Sequence, residues 1–478
     1  MGANWFQRWV GIFIAVLAGG AAALLWFAVA SGDPQVRDEP TEGYLLGFWR
    51  VLYDSEAPTL RVILTAVAMA LLLAVGVALL ERRIASRSRR SNDASASPLA
   101  PKIVMAATRG VYAGPVTVTV LIPSHNEEVS LPATIASLLA QSHPPDRVIV
   151  VADNCTDSTP DVARRAGVEV FISVDNEHKK GGALNQALAQ LLPGQRDNDV
   201  VMVMDADTRL DDGFLEAEIQ RFTADRALMA IGGLFYGEEG HGLLGQFQRN
   251  EYIRYAPEIR RRRGRVFVLT GTASMFRPLA LRTVAESRGV LIPGEPGKVY
   301  DTAALTEDNE LTIALKSLGA QMVSPAQCTV VTELMPGWRT LWAQRLRWQR
   351  GALENLGAYG VRSQTMRYWA QQLGIGYGVI ALGSFLLLIL VTLLSLEEWI
   401  WFPFWLSLGV LFMIERVVTV WKGGWRARVL AATLFPELCF DMVLNVVYVK
   451  GILDIAFRRQ ATWKHVTHEG QHLPQEVG

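Results

Sequence analysis

Hydrophobic and polar positions are unevenly distributed along this 478-residue chain. Five runs are almost wholly apolar: Val10 to Ala30, Leu60 to Leu80, Ile375 to Leu396, Ile400 to Val420 and Val429 to Leu453. Each approaches the ~20 residues needed to cross a bilayer. Between the second and third lies a mixed stretch, roughly 115 to 350, long enough to bury its own core. Short β-branched runs recur in it: "VTVTVLIP" (116–123), "RVIVVAD" (147–153), "VEVFIS" (168–173) and "DVVMVMDAD" (199–207). Helical patterns follow the first two, over Ser130 to Gln141 and through Ala166. Continuous apolar strands alternating with amphipathic helices predict an α/β domain with a parallel, doubly wound sheet. Such sheets bind ligands at the carboxyl ends of their strands. The polar residues gather there: Ser124-His125-Asn126-Glu127, Asp153-Asn154 and Asp205-Ala206-Asp207.

Half of the residues are apolar and 19% are charged, which fits a chain with both membrane and water-exposed parts. Formal net charge is zero, so no nucleic acid or other polyanion is implied as a partner. Cys155, Cys328 and Cys439 are far apart and suggest neither a disulfide framework nor a zinc site. Arg82, Arg83, Arg87, Arg89 and Arg90 follow the second run, whereas Asp33, Asp38, Glu39, Glu42, Asp54 and Glu56 lie between the first two. The positive-inside rule then places the mixed domain in the cytoplasm of a multi-pass plasma-membrane protein. "AVASG" after the first run has the form of a signal-peptidase site, but the long apolar run favours an uncleaved anchor. The expected organisation is two membrane helices over 1–92, a linker over 93–114, the α/β domain over 115–357, and an interface helix with about three membrane segments over 358–478. Five spans would leave "FRRQATWKHVTHEG" outside, against the charge rule. The last run also holds Glu437, Asp441, Asn445 and Lys450, so it either does not fully cross or faces a polar path between helices.

Four stretches could carry chemistry. In "MDADTRLD", Asp205 and Asp207 are two apart at a strand end and point the same way, a hard oxygen site suited to Mg2+ or Mn2+. A solvated turn capping the next helix would have the same composition. In "HKKGGALNQAL", Lys179, Lys180 and two glycines precede a helix, which suits a diphosphate or a plain turn with solvated lysines. "TEDNELTIALKSLGA" reads as a helix with Thr306 as N-cap and Gly319 as stop. Its Glu307 and Asp308 could serve only the helix dipole, or one could be a general base. In "LWAQRLRWQRGALENL", Gln344, Arg347 and Trp348 share a helix face at i, i+3 and i+4. A guanidinium binds phosphate in a fork and an indole stacks on a sugar. An interfacial helix with arginines on headgroups is the competing interpretation.

In order along about half of the chain stand "VLIPSHNEE", "VVADNCTDST", "KKGGALNQAL", "VMVMDADTRLD", "GTASMFR", "TEDNELTIALKSLGA" and "QRLRWQRG". This set resembles the family-2 inverting glycosyltransferases of GT-A fold, and within them the membrane-embedded processive synthases of cellulose, hyaluronan, chitin and poly-N-acetylglucosamine. The resemblance implies a Rossmann-like GT-A domain with a mostly parallel sheet, inserted between N-terminal and C-terminal transmembrane helices. It implies a UDP-sugar donor, UDP-glucose or UDP-N-acetylglucosamine, a growing glycan acceptor and a membrane lipid environment, and it admits an accessory export subunit. By resemblance Asp308 is the catalytic base with Glu307 beside it. Asp205 and Asp207 are the DxD pair holding Mg2+ or Mn2+. Ser124, Asn126, Glu127, Asp153, Lys179, Lys180, Asp205, Arg345 and Arg347 bind the donor. Gln344, Trp348, Gly271, Thr272 and Ser274 bind the acceptor.

The chain departs from that pattern in places. No cyclic-di-GMP-binding domain like that of bacterial cellulose synthases is expected after the last apolar run. Asn154 stands where several relatives carry a second acid. "RRRRGR" (260–265) is an unusual basic cluster, read as solvated or lipid-facing. Three functions are weighed: a processive polysaccharide synthase that also translocates its product, a membrane transferase adding one sugar to a lipid or short acceptor, and a non-catalytic scaffold or export relative.

Overall fold

The computed structural model describes residues 91–109, 115–261, 266–394, 400–401 and 403–459, strands at 41–45 and 49–53, and isolated helical positions between 65 and 90. The first two apolar runs lie largely outside the described residues, as do positions 262–265 of the basic cluster and the tail beyond 459.

Among the described residues the first elements are the hairpin β1 (Thr41–Leu45) and β2 (Trp49–Tyr53), then α1 (Pro101–Ala107). The α/β domain follows as β3 (Thr117–Ser124), α2 (Leu131–Leu139), β4 (Arg147–Ala152), α3 (Thr159–Arg165), β5 (Glu169–Ile172), α4 (Lys179–Leu191), β6 (Asp199–Met204), β7 (Thr208–Leu210), α5 (Phe214–Ala224), β8 (Leu228–Gly232), β9 (Leu234–Gly237), α6 (Gly242–Arg261), β10 (Ala273–Phe276), α7 (Pro278–Ser287), α8 (Glu307–Ser317), β11 (Gln321–Val323) and β12 (Thr329–Thr332). The C-terminal part is helical: α9 (Trp338–Tyr359), α10 (Met366–Leu394), the short β13 (Ile400–Trp401), α11 (Pro403–Thr419), α12 (Gly424–Thr433) and α13 (Phe435–Ala456).

Seven strands form the central sheet in the order β11-β8-β10-β6-β3-β4-β5. It is parallel except at β10, which runs antiparallel between β6 and β8. The mostly parallel sheet is thus present, and β3, β4, β5 and β6 are the strands legible in the sequence. Alternation along β3 explains why they are continuous. Val118, Val120 and Ile122 face one core with α2 and α5, while Leu121 faces the other with α4, α7 and α8. A strand covered on both faces has no polar side to show. A second sheet, β7-β12-β9, stands beside the carboxyl end of β6.

One buried residue opposes this packing. Glu218 on α5 is fully buried, and neither carboxylate oxygen has a hydrogen-bond partner among the described residues. Burial pushes its carboxyl well above the ordinary value. A raised folded value means stability is fullest below the unfolded value near 4.5 and falls as pH rises through the folded one. Glu218→Met should therefore stabilise the protein by about 1–3 kcal/mol at neutral pH. Thermal unfolding in detergent should show a larger gain at pH 8 than at pH 5, whereas an equal or absent gain would contradict it.

The C-terminal runs differ from their expected form. Among the described residues, Met366–Leu387 within α10 is long and apolar enough to cross a bilayer. It starts before the expected Ile375 because polar Gln371 and Gln372 continue the same helix. The helix α11 has 17 residues. The last run is broken: Leu434 adopts φ 52°, Pro436 opens α13, and the segments Trp421–Thr433 and Phe435–Ala456 meet at 84°. A proline with a left-handed residue before it ends one helix and starts another.

Candidate active site

The carboxyl ends of β3, β4 and β6, the start of α8 and one face of α9 enclose a cleft of about 1230 Å³. It continues to Gln371, Gln372 and Ile375 of α10 and to Lys450 and Asp454 of α13. Of the residues singled out from sequence, Ser124, Glu127, Asp153, Lys179, Lys180, Asp205, Asp207, Gly271, Thr272, Glu307, Asp308, Gln344, Arg347 and Trp348 line it. They come from stretches more than two hundred residues apart, Ser124 to Trp348, so the sheet is what gathers them.

At the β4 end, three donors converge on Asp153 Oδ1: Ser173 Oγ at 2.6 Å, Asn176 Nδ2 at 2.8 Å and Asn154 Nδ2 at 3.3 Å. This fixes the carboxylate at the cleft wall. Asn126, two residues after Ser124 in the turn that follows β3, adopts φ 57° and accepts from the Thr156 amide at 2.8 Å. It shapes the loop and does not line the cleft. Asn154 likewise adopts φ 48°, and both positions use what asparagine does well, a left-handed backbone with a short polar side chain.

The glycines after Lys180 do not form the expected loop. The helix α4 starts at Lys179, so Gly181 and Gly182 lie in its first turn. The reason is contact: a Cβ on Gly182 would fall 2.0 Å from Asn176 Oδ1 and 2.7 Å from His178 Cβ. Asn176 in turn holds Asp153, so Gly182 serves the Asp153 wall through packing.

At the centre, Lys180 Nζ lies 2.5 Å from Asp205 Oδ1 and 3.1 Å from Glu307 Oε1. Burial disfavours its charge, but Asp205 and Glu307 outweigh this and hold it above the ordinary lysine value. Glu307 is the reciprocal case: burial raises it, and Lys180 with Arg347 brings it below the ordinary value. Asp308 goes the other way, pushed up to about 6 by burial and by Glu307, against Lys180. Its Oδ2 accepts from Gly271 N at 3.1 Å and its Oδ1 from Asn309 N at 2.7 Å. Gly271 leaves room for this cluster, since a Cβ there would fall 3.0 Å from Lys180 Nζ and 3.3 Å from Asp205 Oδ2 and press on both.

Asp207 is pushed up to about 7 by burial, then by Asp205, Glu127 and Glu333. Its Oδ1 accepts from Thr208 Oγ1 at 3.1 Å. An excess of carboxylates around a single lysine is the electrostatic condition that a divalent cation relieves. Among the described residues no three acid, histidine or cysteine side chains are arranged as a closed metal cage. Asp205 and Asp207 therefore fit a cation that completes its shell from water and substrate oxygens, as hard cations at phosphate sites do.

Thr306 occupies the N-cap position of α8 but makes no side-chain cap. Asn355 of α9 instead donates to its Oγ1 and carbonyl at 3.1 Å each, and to Asn309 Oδ1 at 3.1 Å. The start of α8, which carries Glu307 and Asp308, is thus tied to α9, which carries Trp348. Lys316 at the other end binds the Val266 and Phe267 carbonyls and Tyr368 OH, fixing the segment that leads to Gly271. A buried Arg288–Glu310 pair at 2.8 Å, with Tyr359 OH on Glu310, holds the middle of the helix.

Besides Asn126, two more of the expected site residues lie outside the cleft lining. Ser274 is buried in β10 and donates to Thr270 O at 2.8 Å. Arg345 is 3% exposed, ion-paired to Glu251 and absent from the cleft lining. Glu333, Gln371, Lys450 and Asp454 line the cleft without having been singled out for it. Glu333 had only its place after a β-branched run to mark it, and the last two sit in an apolar helix where their polarity was the signal.

Residues 119–284 match the family profile described as "Glycosyl transferase family 2". The chain is 27% identical over 248 residues to the poly-beta-1,6-N-acetyl-D-glucosamine synthase of Staphylococcus aureus (strain COL), covering 50% of this chain and 55% of that protein. It is 31% identical over 248 residues to the probable glycosyltransferase YdaM of Bacillus subtilis (strain 168), covering 49% and 54%. The chain thus spans about half the length of the curated relatives it matches. Among solved structures, the mannosyltransferase PcManGT from Pyrobaculum calidifontis, in complex with GDP-Man and Mn2+, aligns with a TM-score of 0.45 and 17% identity, over 83% of this chain and 99% of that one. The α/β core of this chain, over residues 119–284, is a glycosyl transferase family 2 domain.

Proposed function

We propose that this chain is an inverting glycosyltransferase that extends a β-linked polysaccharide from a UDP-sugar, with its catalytic domain in the cytoplasm and its C-terminal helices in the membrane. The observation that carries this is one cleft holding Asp205, Asp207, Lys180, Asp308 and Trp348 together. The named relative among synthases of an N-acetylglucosamine polymer supports UDP-N-acetylglucosamine over UDP-glucose as the first donor to test.

In this assignment Asp153 and Ser124 face the nucleoside, and Lys180 and Arg347 face the diphosphate. Asp205 and Asp207 would hold Mg2+ or Mn2+, which supplies charge neutralisation for the leaving group when bound. The acceptor sugar lies on Trp348, with Gln344 and Thr272 at its edges. Its hydroxyl attacks the anomeric carbon while Asp308 takes the proton, and one displacement inverts that carbon. Gly271 N–H and the α8 N-terminus keep the Asp308 carboxylate aimed at the cleft. Lys180 and Arg347 meet the charge that collects on departing UDP.

The cleft continues to α10 and α13, which favours a polymer over a single added sugar. A chain lengthening on Trp348 would leave along that polar lane toward the other side of the membrane. The domain organisation is a hairpin of membrane helices, a linker, the transferase domain, and a membrane-associated C-terminal part.

The test is nucleotide release by the purified, detergent-solubilised chain with UDP-glucose and UDP-N-acetylglucosamine, with and without Mn2+ or Mg2+, and product sizing on a gel. The expected result is metal-dependent UDP release and a high-molecular-weight product from one donor. Release with only short or lipid-soluble product would replace the polymer by single addition. No release from either donor would remove the assignment.

A further inference from the structure

Arg345 lies between Gln344 and Trp348 in sequence, yet it points away from the cleft they line. Its Nη2 donates to Glu251 Oε2 at 2.8 Å and its Nη1 to Gln344 Oε1 at 2.9 Å. Its guanidinium lies over the Trp348 ring, 4.3 Å from the centroid, and 5.5 Å from the Tyr252 centroid. A buried guanidinium needs an opposing charge, and here the Glu251 carboxylate provides it from another helix. A planar cation stacked on an indole fixes the tilt of the ring and not only its place. Glu251, Arg345 and then Trp348 with Gln344 thus form a chain of contact that ends in the cleft.

The helix that carries Glu251 is itself anchored. Asn250 Nδ2 donates to Glu437 Oε1 at 2.7 Å, and Arg254 pairs with the same buried carboxylate at the start of α13. Gln248 donates to Met335 O at 3.0 Å and accepts from Met335 N at 3.1 Å, just before α9. The carboxylate is therefore delivered to Arg345 from a fixed support.

We infer that Glu251 is a positioning residue for the acceptor, setting the pose of Trp348 and Gln344 through Arg345; this rests on the acceptor role given to Trp348 above. Glu251 does not line the cleft, so it acts on the pose of the acceptor surface without touching donor or acceptor. The effect belongs to the acceptor alone, because the Asp205, Asp207 and Lys180 cluster is held by other contacts.

The experiment uses the full chain in detergent with a UDP-sugar and a defined β-linked oligosaccharide. Donor hydrolysis without acceptor and transfer with acceptor are measured separately. In E251Q the acceptor KM should rise about tenfold while the donor KM and hydrolysis rate stay within about twofold. In the E251Q/R345M pair the acceptor KM should equal that of R345M alone, because the second change removes what Glu251 acts through. An unchanged acceptor KM in E251Q, equal losses of hydrolysis and transfer, or additive effects in the pair would overturn the inference. If E251Q is not recovered folded, E251D retracts the carboxylate by one methylene and should raise the acceptor KM about threefold, no shift overturning it. A wild-type chain that releases no UDP from any donor would instead remove the proposed function itself.

Discussion

Asp308→Asn is expected to lower glycosyl transfer by about 10³-fold or more while donor affinity stays within about twofold. The exchange is nearly isosteric and can still accept one of the two backbone hydrogen bonds, from Gly271 N or Asn309 N. What it removes is the ability to take a proton. Asp308 is suited to that task because burial and Glu307 lift its carboxyl to about 6, with Lys180 limiting the rise. A base must be ionised, so kcat/KM should rise with pH through about 6 and level off above it. Below that midpoint it should fall about tenfold per unit. Single-turnover transfer and equilibrium donor binding, measured on the same preparation, read the two halves of this expectation. Full transfer by Asp308→Asn would remove Asp308 as base, and a flat profile between pH 5 and 7 would remove its titration from the rate.

Asp207→Ala should abolish the metal dependence of donor binding. Asp205 already has an ammonium partner 2.5 Å away, so Asp207 is the carboxylate whose charge is least compensated by protein groups. Burial with Asp205, Glu127 and Glu333 nearby pushes it up to about 7. A protonated carboxyl is a poor ligand, so binding a cation must displace that proton. Metal affinity in the wild type should therefore fall by up to about tenfold per pH unit below 7. In Asp207→Ala the donor Kd with Mn2+ should equal that without it, and should lie at least about tenfold above the wild-type value. Calorimetry with UDP at pH 6 and 7.5, with and without Mn2+, reads both expectations. A variant that keeps the Mn2+ effect would move the cation to other ligands.

Much of the α/β core is legible in the chain because its signals are local. A strand buried on both faces must be apolar along its covered length, and 120–123 and 200–204 are. Asp153, Asp205 and Asp207 stand where such strands end, which is where a parallel sheet opens to a ligand. The seven motifs carry family likeness as words, independent of how they fold together. Periodicity also marks α9, with Gln344, Arg347 and Trp348 on one face.

Contacts between distant segments are a different matter. "KKGG" looks like a loop until Asn176 is seen pressed against Gly182, which makes the glycines a packing requirement inside a helix. Thr306 has the composition of a cap, yet Asn355, 49 residues later, claims its hydroxyl. Arg345 reads as one more cation in a basic motif, yet Glu251, 94 residues earlier, buries it and turns it under Trp348. The last apolar run scans as one segment, while a left-handed Leu434 before Pro436 bends it by 84°. Sequence alone thus determined the α/β core, the strand-end acids and the membrane-like runs, because hydrophobic period and residue type are properties of neighbours along the chain. Tertiary structure alone decided which carboxylate is neutralised, which arginine reaches the cleft and where the last helix breaks, because each depends on charges and side-chain volumes brought together from far apart.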